Sequence, residues 1–236
     1  LMIIVCGEAT KISNFIVSNT KEYIATLKLF ESTDTLDKDG KIIKTEKPFD
    51  ISKEEIIKTL NSFIGDSFQT PPMYSAIKIN GEKMYEVARN GGHIDIPPRK
   101  INISSIELIE YKSPYITFKV NCSKGTYIRT LGSDIATKLN TVGHLTSLKR
   151  TRIGNIRIEN AFNLEEIDIN KGYNIKDILD MRKVIVDPNL IKDGKAIKLE
   201  IDDEYVLLLD SKEKELAIYH KVDGIYKSLR GLNICE

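Results

Sequence analysis

Residues 116–139, with the sequence ITFKVNCSKGTYIRTLGSDIATKL, contain the two patterns that decide the fold of this chain. In the first half every second residue is apolar, and this period of two predicts a strand with one buried face. In the second half apolar residues recur every three or four positions, which predicts an amphipathic helix. The SKG sequence at 123–125 separates the two patterns, and Thr126 is the expected cap of the helix. The apolar positions are Ile116, Phe118, Val120 and Cys122 in the strand, and Ile128, Leu131, Ile135 and Leu139 in the helix.

Arg129 lies in the first turn of this predicted helix, just after the predicted strand. The amino end of a helix carries partial positive charge, so a further cation there costs roughly 0.3–1 kcal/mol unless it is compensated. We therefore expect an acidic group to face Arg129. A carboxylate on the surface would meet this need, and so would one in a functional site.

The composition is that of an ordinary globular protein. Of the 236 residues, 29% are charged and 41% are hydrophobic. No stretch approaches the roughly 18 apolar residues of a membrane span, and the segment before Gly7 is too short for a signal peptide, so we expect a cytoplasmic protein with no membrane partner. Cys6, Cys122 and Cys235 are far apart in the sequence, which predicts reduced thiols rather than disulfides or a zinc site.

The net charge is only +1, but the charges are distributed unevenly. The segment 138–158 contains no acidic residue. A basic stripe of this kind could bind the phosphates of a nucleic acid, or it could be a solvated face with no partner. The bases in this segment are Lys138, Lys149, Arg150, Arg152 and Arg157.

Short strand and helix patterns alternate along the rest of the chain without the regularity of repeated βαβ units. This irregular alternation predicts an α+β fold in which helices pack on a mixed β-sheet. One of the expected strands is at 74–79. After about Leu179, short apolar runs such as 196–199 are separated by charged turns, which predicts a small β domain. We therefore expect two domains, one at 1–178 and one at 179–236.

One loop has part of the pattern of a calcium site. Thr35, Asp37, Asp39, Gly40 and Glu46 fall at positions 1, 3, 5, 6 and 12 of a calcium-binding loop. Position 1 should be an aspartate, and a calcium-binding loop follows a helix, whereas this one follows a strand pattern. We therefore predict that the loop does not bind a metal.

The sequence of the central stretch continues to Gly154, and from Cys122 onward it closely resembles the corresponding segment of the bacterial TruB-type tRNA pseudouridine synthases. Three further blocks resemble the same family in the same order. The resemblance implies the fold of that family, a sheet with a cleft across it, followed by a small PUA-like domain. The blocks are CGEATK at 6–11, KEYIATLKLFESTDTLDKDG at 21–40 and PPMYSAIKINGEKMYEVARNG at 71–91.

The resemblance also implies roles for single residues. Arg129, in the GTYIR motif, matches the catalytic arginine that pairs with a nucleophilic aspartate. Tyr23 matches the active-site tyrosine that stacks on the target base; the strand pattern alone would make it a core residue. Tyr127 and Leu148 are expected to wall the base pocket, and Asp37 is expected to contact RNA or the network around the arginine.

For the basic stripe, the resemblance favours RNA binding. Lys149, Arg150 and Arg152 are expected to contact phosphates of a tRNA. The family substrate is uridine 55 in the T loop of tRNA, which implies that this chain isomerises uridine to pseudouridine with no metal and no organic cofactor. We expect a monomer.

In the family, the nucleophilic aspartate lies in a GxLDPxAxG loop a few residues before the block that matches CGEATK. The sequence begins inside that connection, so we expect the nucleophile to be absent from residues 1–236. Asp34, Asp37 and Asp134 are not expected to replace it, because each matches a different family position. Two interpretations remain open: an enzyme whose catalytic loop is encoded upstream, and a truncated module that binds or remodels tRNA without chemistry.

Overall fold

A computed structural model describes residues 1–79, 81–92, 94–168 and 171–232, and the expected free thiol of Cys235 lies outside these ranges. None of the helices in these ranges has the length and apolar character needed to cross a membrane. In chain order the strands are β1 (Lys21–Leu29), β2 (Glu31–Thr33), β3 (Ile42–Thr45), β4 (Gly65–Gln69), β5 (Lys78–Ile79), β6 (Glu82–Lys83), β7 (Arg99–Lys112), β8 (Tyr115–Cys122), β9 (Gly143–Ile153), β10 (Ile156–Arg157), β11 (Arg182–Ile185), β12 (Tyr205–Leu209), β13 (Glu215–Val222) and β14 (Ile225–Gly231). The α-helices are α1 (Ser13–Ser18), α2 (Lys53–Asn61), α3 (Met84–Arg89), α4 (Ile128–Lys138) and α5 (Ile175–Ile178), and 3₁₀ helices cover Gly7–Ile12, Ile158–Asn160, Leu164–Glu166 and Pro188–Gly194.

The described residues divide into two compact units. Residues 160–178 group with the C-terminal part of the chain. The division into domains at 1–178 and 179–236 stays a prediction from the sequence pattern. The first unit consists of Leu1, Thr20–Ile153 and Arg157–Glu159. The second consists of Met2–Asn19, Gly154–Ile156 and Asn160–Glu236.

Within the described residues, a six-stranded sheet has the strand order β10-β9-β1-β8-β7-β4. The pairs β9-β1, β1-β8, β8-β7 and β7-β4 are antiparallel. Ala25, Leu27 and Leu29 of β1 are buried, because alternate residues of a strand point to the same face. Apolar residues of α2 and α4 join the same core. The α+β class predicted from the sequence is confirmed.

The strand and helix predicted for 116–139 are confirmed by β8 and α4. The predicted cap is wrong, because Thr126 Oγ1 donates instead to the carbonyl of Ser123 at 3.0 Å. That bond closes the turn between the strand and the helix. The N-cap residue is Tyr127, whose side chain makes no capping bond.

The strand predicted at 74–79 is also wrong for most of its length. Only Lys78–Ile79 is a strand, and it pairs with Glu82–Lys83. Pro71 and Pro72 precede this segment and have no backbone N–H to donate to a sheet. The sheet position beside β7 is taken by β4, which the hydrophobic pattern missed because its sequence, GDSFQ, does not alternate clearly.

Gly143, at the start of β9, lets α4 pack closely against the sheet. A Cβ atom added at Gly143 would lie 2.9 Å from Ala136 Cβ of α4 and 3.0 Å from the carbonyl oxygen of Lys28. Neither of these atoms can rotate away. A side chain at this position would therefore push α4 away from β1 and β9.

In the second unit, the described residues form a four-stranded sheet with the order β11-β12-β13-β14. The pair β11-β12 is parallel and the other two pairs are antiparallel. The predicted apolar run at 196–199 is not a strand, since Ile197 forms only an isolated bridge with Tyr226. The four-stranded sheet shows that a small β structure is present, and its PUA-like character stays a prediction.

We predict that Gly143→Ala destabilises the protein by about 1–3 kcal/mol, because the new methyl group overpacks a rigid site. Urea unfolding measures the change. Gly231→Ala is the matched control, since a Cβ atom at Gly231 has no neighbour within 4 Å. Equal unfolding free energies for the two variants would contradict the packing argument.

Candidate active site

The side chain of Arg129, in the first turn of α4, binds three acceptors from two other segments. Nη1 donates to the carbonyl of Thr35 at 2.8 Å and to Asp37 Oδ2 at 3.0 Å, and Nη2 donates to the carbonyl of Tyr74 at 2.6 Å. The Arg129 and Asp37 side chains are only 22% and 29% exposed, so their contact is a partly buried, charge-assisted pair. The expectation that an acidic group faces Arg129 is confirmed.

The loop that carries Asp37 is held in shape by its own polar groups. Asp37 Oδ1 accepts from Thr35 Oγ1 at 2.6 Å and from the backbone N–H of Asp39 at 3.2 Å. Both carboxylate oxygens of Asp37 are therefore bonded. Gly40 is required in this loop, since a Cβ atom there would lie 2.9 Å from the backbone nitrogen of Thr35. Among the described residues, no group of three or more His, Cys, Asp or Glu side chains could hold a metal ion.

Gln69, the last residue of β4, holds the backbone at the start of α4. Its Oε1 accepts from the N–H of Tyr127 at 2.8 Å, and its Nε2 donates to the carbonyl of Tyr127 at 3.1 Å. The Gln69 side chain is buried. The helix start that contains Arg129 is thus fixed by a side chain that is distant in sequence.

A cavity of about 390 Å³ opens beside the pair formed by Arg129 and Asp37. One wall is charged and comes from the Asp37 loop and α4, and the other comes from β9. Its volume falls within the range of small-molecule sites. The lining residues are Asp37, Lys38, Asp39, Arg129, Leu145, Thr146, Ser147 and Leu148.

Three of the predicted site residues line this cavity: Arg129, Asp37 and Leu148. Leu148 is 45% exposed, although it lies on a strand whose neighbouring residues include core positions. An apolar side chain that remains accessible beside a fixed cation is available to pack against a bound group. The structure therefore brings together an electrostatic and an apolar element.

Two predicted aromatic residues lie elsewhere, because neither Tyr23 nor Tyr127 is among the described residues that line this cavity. Tyr23 packs against the core of the first unit and is paired with Arg150 across the β1-β9 ladder. Burial raises the pKa of the Tyr23 phenol, and a hydrogen bond with Arg150 partly offsets that rise. The register also pairs Ala25 with Leu148, so Tyr23 and Leu148 lie on the same face of the sheet.

The three predicted RNA contacts follow Leu148 along β9. Lys149 is exposed. Arg150 donates through Nε and Nη2 to the carbonyl of Leu1 at 2.9 and 2.7 Å, and Arg152 Nη2 donates to Asn121 Oδ1 at 2.6 Å. Both arginines therefore already have protein partners, and RNA binding by the three residues stays a prediction.

The chain is similar to known proteins over most of its length. Residues 1–128 match the family described as TruB family pseudouridylate synthase, N-terminal domain. The chain is 43% identical over 225 residues to tRNA pseudouridine synthase B of Clostridium tetani, covering 94% of this chain and 74% of that protein. It is 40% identical over 242 residues to the protein of the same name from Mesoplasma florum, covering 98% and 84%. The fold, the arginine site and these matches together define a pseudouridylate synthase. The chain belongs to the TruB family of these enzymes.

Solved structures support the fold. A chain in the crystal structure of a Cbf5-Nop10-Gar1 complex is similar with a TM-score of 0.68 and 19% identity, covering 97% of this chain and 70% of that one. A chain in the structure of an H/ACA RNP bound to a substrate RNA containing 2′-deoxyuridine is similar with a TM-score of 0.64 and 17% identity, covering 98% and 71%. At these identities the likeness concerns the fold alone.

The residues that hold Arg129 through their backbones or through a buried amide were not predicted from the sequence. The carbonyl groups of Thr35 and Tyr74 bind the guanidinium, and a backbone acceptor gives no signal in the side-chain sequence. Gln69 did offer a weak signal, since it is a polar residue two positions before a pair of prolines. Its partner could not be inferred from spacing, because Tyr127 is 58 residues away.

We predict that Asp37→Asn destabilises the protein by about 1–3 kcal/mol, because the amide must turn a donor towards another donor in either orientation. One carboxylate oxygen faces Arg129 and the other faces the N–H of Asp39. Thermal unfolding checks the change. Asp39→Asn in the same loop is the control, and an equal loss of stability in that variant would refute the assignment.

Proposed function

We propose that this chain isomerises uridine to pseudouridine in tRNA, at position 55 of the T loop. The observation that carries the proposal is the Arg129 guanidinium, which is fixed by three acceptors at the wall of a cavity that Leu148 also lines. A fixed cation can hold a nucleophilic carboxylate ionised, and an apolar wall can pack against a base. Membership of a family whose relatives are named tRNA pseudouridine synthase B supports the proposal.

Arg129 has more N–H donors than its contacts with the described residues use. A guanidinium has five N–H donors, and the contacts to Thr35, Asp37 and Tyr74 use two on Nη1 and one on Nη2. One edge of the planar group consists of the Nε–H and a hydrogen of Nη2, and an edge of this kind can bind a carboxylate through two parallel bonds. We assign this edge to the nucleophilic aspartate that the family resemblance predicts.

In this proposal Asp37 and the nucleophile have different roles. Asp37 orients the guanidinium through Oδ2, and its Oδ1 is bonded within the loop. The nucleophile attacks the flipped uridine or its ribose, the glycosidic bond between C1′ and N1 breaks, and the base rotates. C1′ then bonds to C5, the aspartate is released, C5 loses its proton and N1 gains one. Tyr23 stacks on the base from the face of the sheet that it shares with Leu148. The reaction uses neither a metal nor an organic cofactor.

The partner in this proposal is the T stem-loop of tRNA. Lys149, Arg150 and Arg152 follow the cavity residue Leu148 in the sequence of β9, so we assign them to phosphates of an RNA whose base enters the cavity. Lys149 is exposed and is the most accessible of the three. We propose that the protein acts as a monomer in the cytoplasm, with the C-terminal sheet as a PUA-like domain.

We predict that Arg129→Lys abolishes pseudouridine formation but leaves tRNA affinity within a few-fold of wild type, because lysine keeps the charge and loses the planar fork. Protein made from the complete open reading frame is incubated with a tRNA transcript, and pseudouridine is quantified. The control is Lys138→Arg at the other end of α4. Near-normal turnover by Arg129→Lys would refute the proposed pairing. Loss of binding with loss of turnover would assign Arg129 to RNA affinity instead.

For RNA binding, we predict that Lys149→Gln makes affinity less dependent on salt. The negative slope of log affinity against log salt should become smaller in magnitude by about one, because one phosphate contact is lost. Lys112→Gln, at the exposed end of β7, is the matched control. Binding to the same tRNA is measured by fluorescence anisotropy at several salt concentrations. Identical slopes for both variants and the wild type would exclude a phosphate contact at Lys149.

A further inference from the structure

The Gln69 side chain forms with the backbone of Tyr127 the pair of hydrogen bonds that a neighbouring strand would form. Its amide accepts from the N–H and donates to the carbonyl of the same residue, at 2.8 and 3.1 Å. Gln69 is only 5% exposed, so these bonds lie away from water. Because a buried amide group without partners costs about 1–3 kcal/mol, the two bonds also fix which end of the amide faces each group.

The position of Gln69 explains why this contact matters for α4. Tyr127 is the N-cap residue of α4, and its side chain makes no capping bond. The extended backbone of Tyr127 (φ −94°, ψ 108°) joins the turn after β8 to the first turn of the helix. Gln69 lies in β4, at the end of the sheet order, and is paired there with Arg99. The start of α4 is therefore attached to the sheet through Gln69.

A second contact attaches the same segment to α4 five residues later. The carbonyl of Tyr74 accepts from Nη2 of Arg129, so the chain from Gln69 to Tyr74 is bonded at both ends to the helix start, at two residues that are two positions apart. Pro71 and Pro72 lie between the two contacts and restrict the backbone there. A shift of Tyr127 would therefore move Arg129 relative to its acceptors.

We propose that Gln69 is a positioning residue for the isomerisation. It acts through the backbone of Tyr127 and sets the place of the Arg129 guanidinium at the cavity wall. Gln69 is not among the residues that line the cavity in the described part of the chain, so we assign it a positioning role and not a catalytic one. This inference rests on the proposed function and adds a residue that the arginine motif does not contain.

Gln69→Glu tests the inference through pH. The glutamate can accept from the N–H of Tyr127 in either protonation state, but only the neutral acid can donate to the carbonyl. The folded protein therefore favours the neutral acid, and the pKa of this carboxyl should rise above the usual value of about 4.3. Any loss of stability in this variant should grow as the pH rises through the raised pKa of the folded protein.

In protein made from the complete open reading frame, we expect Gln69→Glu to lower kcat by about 10- to 100-fold near pH 8, with KM changed by less than about threefold, because a small misplacement of a catalytic group is costly. Relative to wild type at the same pH, the loss should shrink as the pH is lowered towards about 5. Gln69→Met removes both bonds at similar size, and its loss should not depend on pH. Asn61→Asp, at the exposed end of α2, controls for a new carboxylate in the same unit.

The outcomes separate the two proposals. A wild-type protein that forms no pseudouridine overturns the proposed function, whereas an active wild type with an equally active Gln69→Glu at every pH overturns the positioning role. A loss confined to KM would also overturn it. Hydrogen exchange of the Tyr127 amide in the wild type gives a result even if the variants do not fold: slow exchange supports the contact, and exchange as fast as in a free loop contradicts it.

Discussion

The contact of Arg129 with three acceptors is the interaction on which the site depends. One planar group bonds the loop of Asp37, the segment of Tyr74 and the start of α4 to one another. The helix dipole makes this position unfavourable for a cation, so Arg129 requires an acidic partner to compensate it. The cavity beside the pair lies between these segments and β9, and the Asp37 loop is tied to β9 by a bond from the N–H of Leu145 to the carbonyl of Leu36 at 3.0 Å.

The surrounding chain limits where that guanidinium can lie. Gly143 allows α4 to approach the sheet, and Gln69 fixes the backbone immediately before Arg129. Gly40 allows the Asp37 loop to fold against its own polar groups. Besides Asp37, the catalytic arginine proposed here is therefore positioned by residues that neither carry charge nor line the cavity in the described structure. Such preorganisation lets one cation both hold a carboxylate and keep its orientation.

Sequence patterns predicted the strand and helix around Arg129 and the need for an acid opposite it, because side-chain periodicity and the helix dipole are local effects. The family resemblance contributed Asp37 and Leu148, which share the cavity with Arg129. The predictions of the Thr126 cap and of the strand at 74–79 were wrong. Thr126 bonds within the turn instead, and β4 occupies the sheet edge beside β7. Backbone acceptors such as the carbonyl of Tyr74 leave no side-chain pattern, so they required the structure.

A double-mutant cycle between residues 37 and 129 tests the central claim most directly. The unfolding free energies of Asp37→Ala, Arg129→Met and the double variant are compared with that of the wild type. If the guanidinium and the carboxylate hold the site together, the two substitutions should be non-additive, with a coupling free energy of about 1–3 kcal/mol. Effects that add to within about 0.3 kcal/mol would show that the two groups do not stabilise each other and would contradict the account.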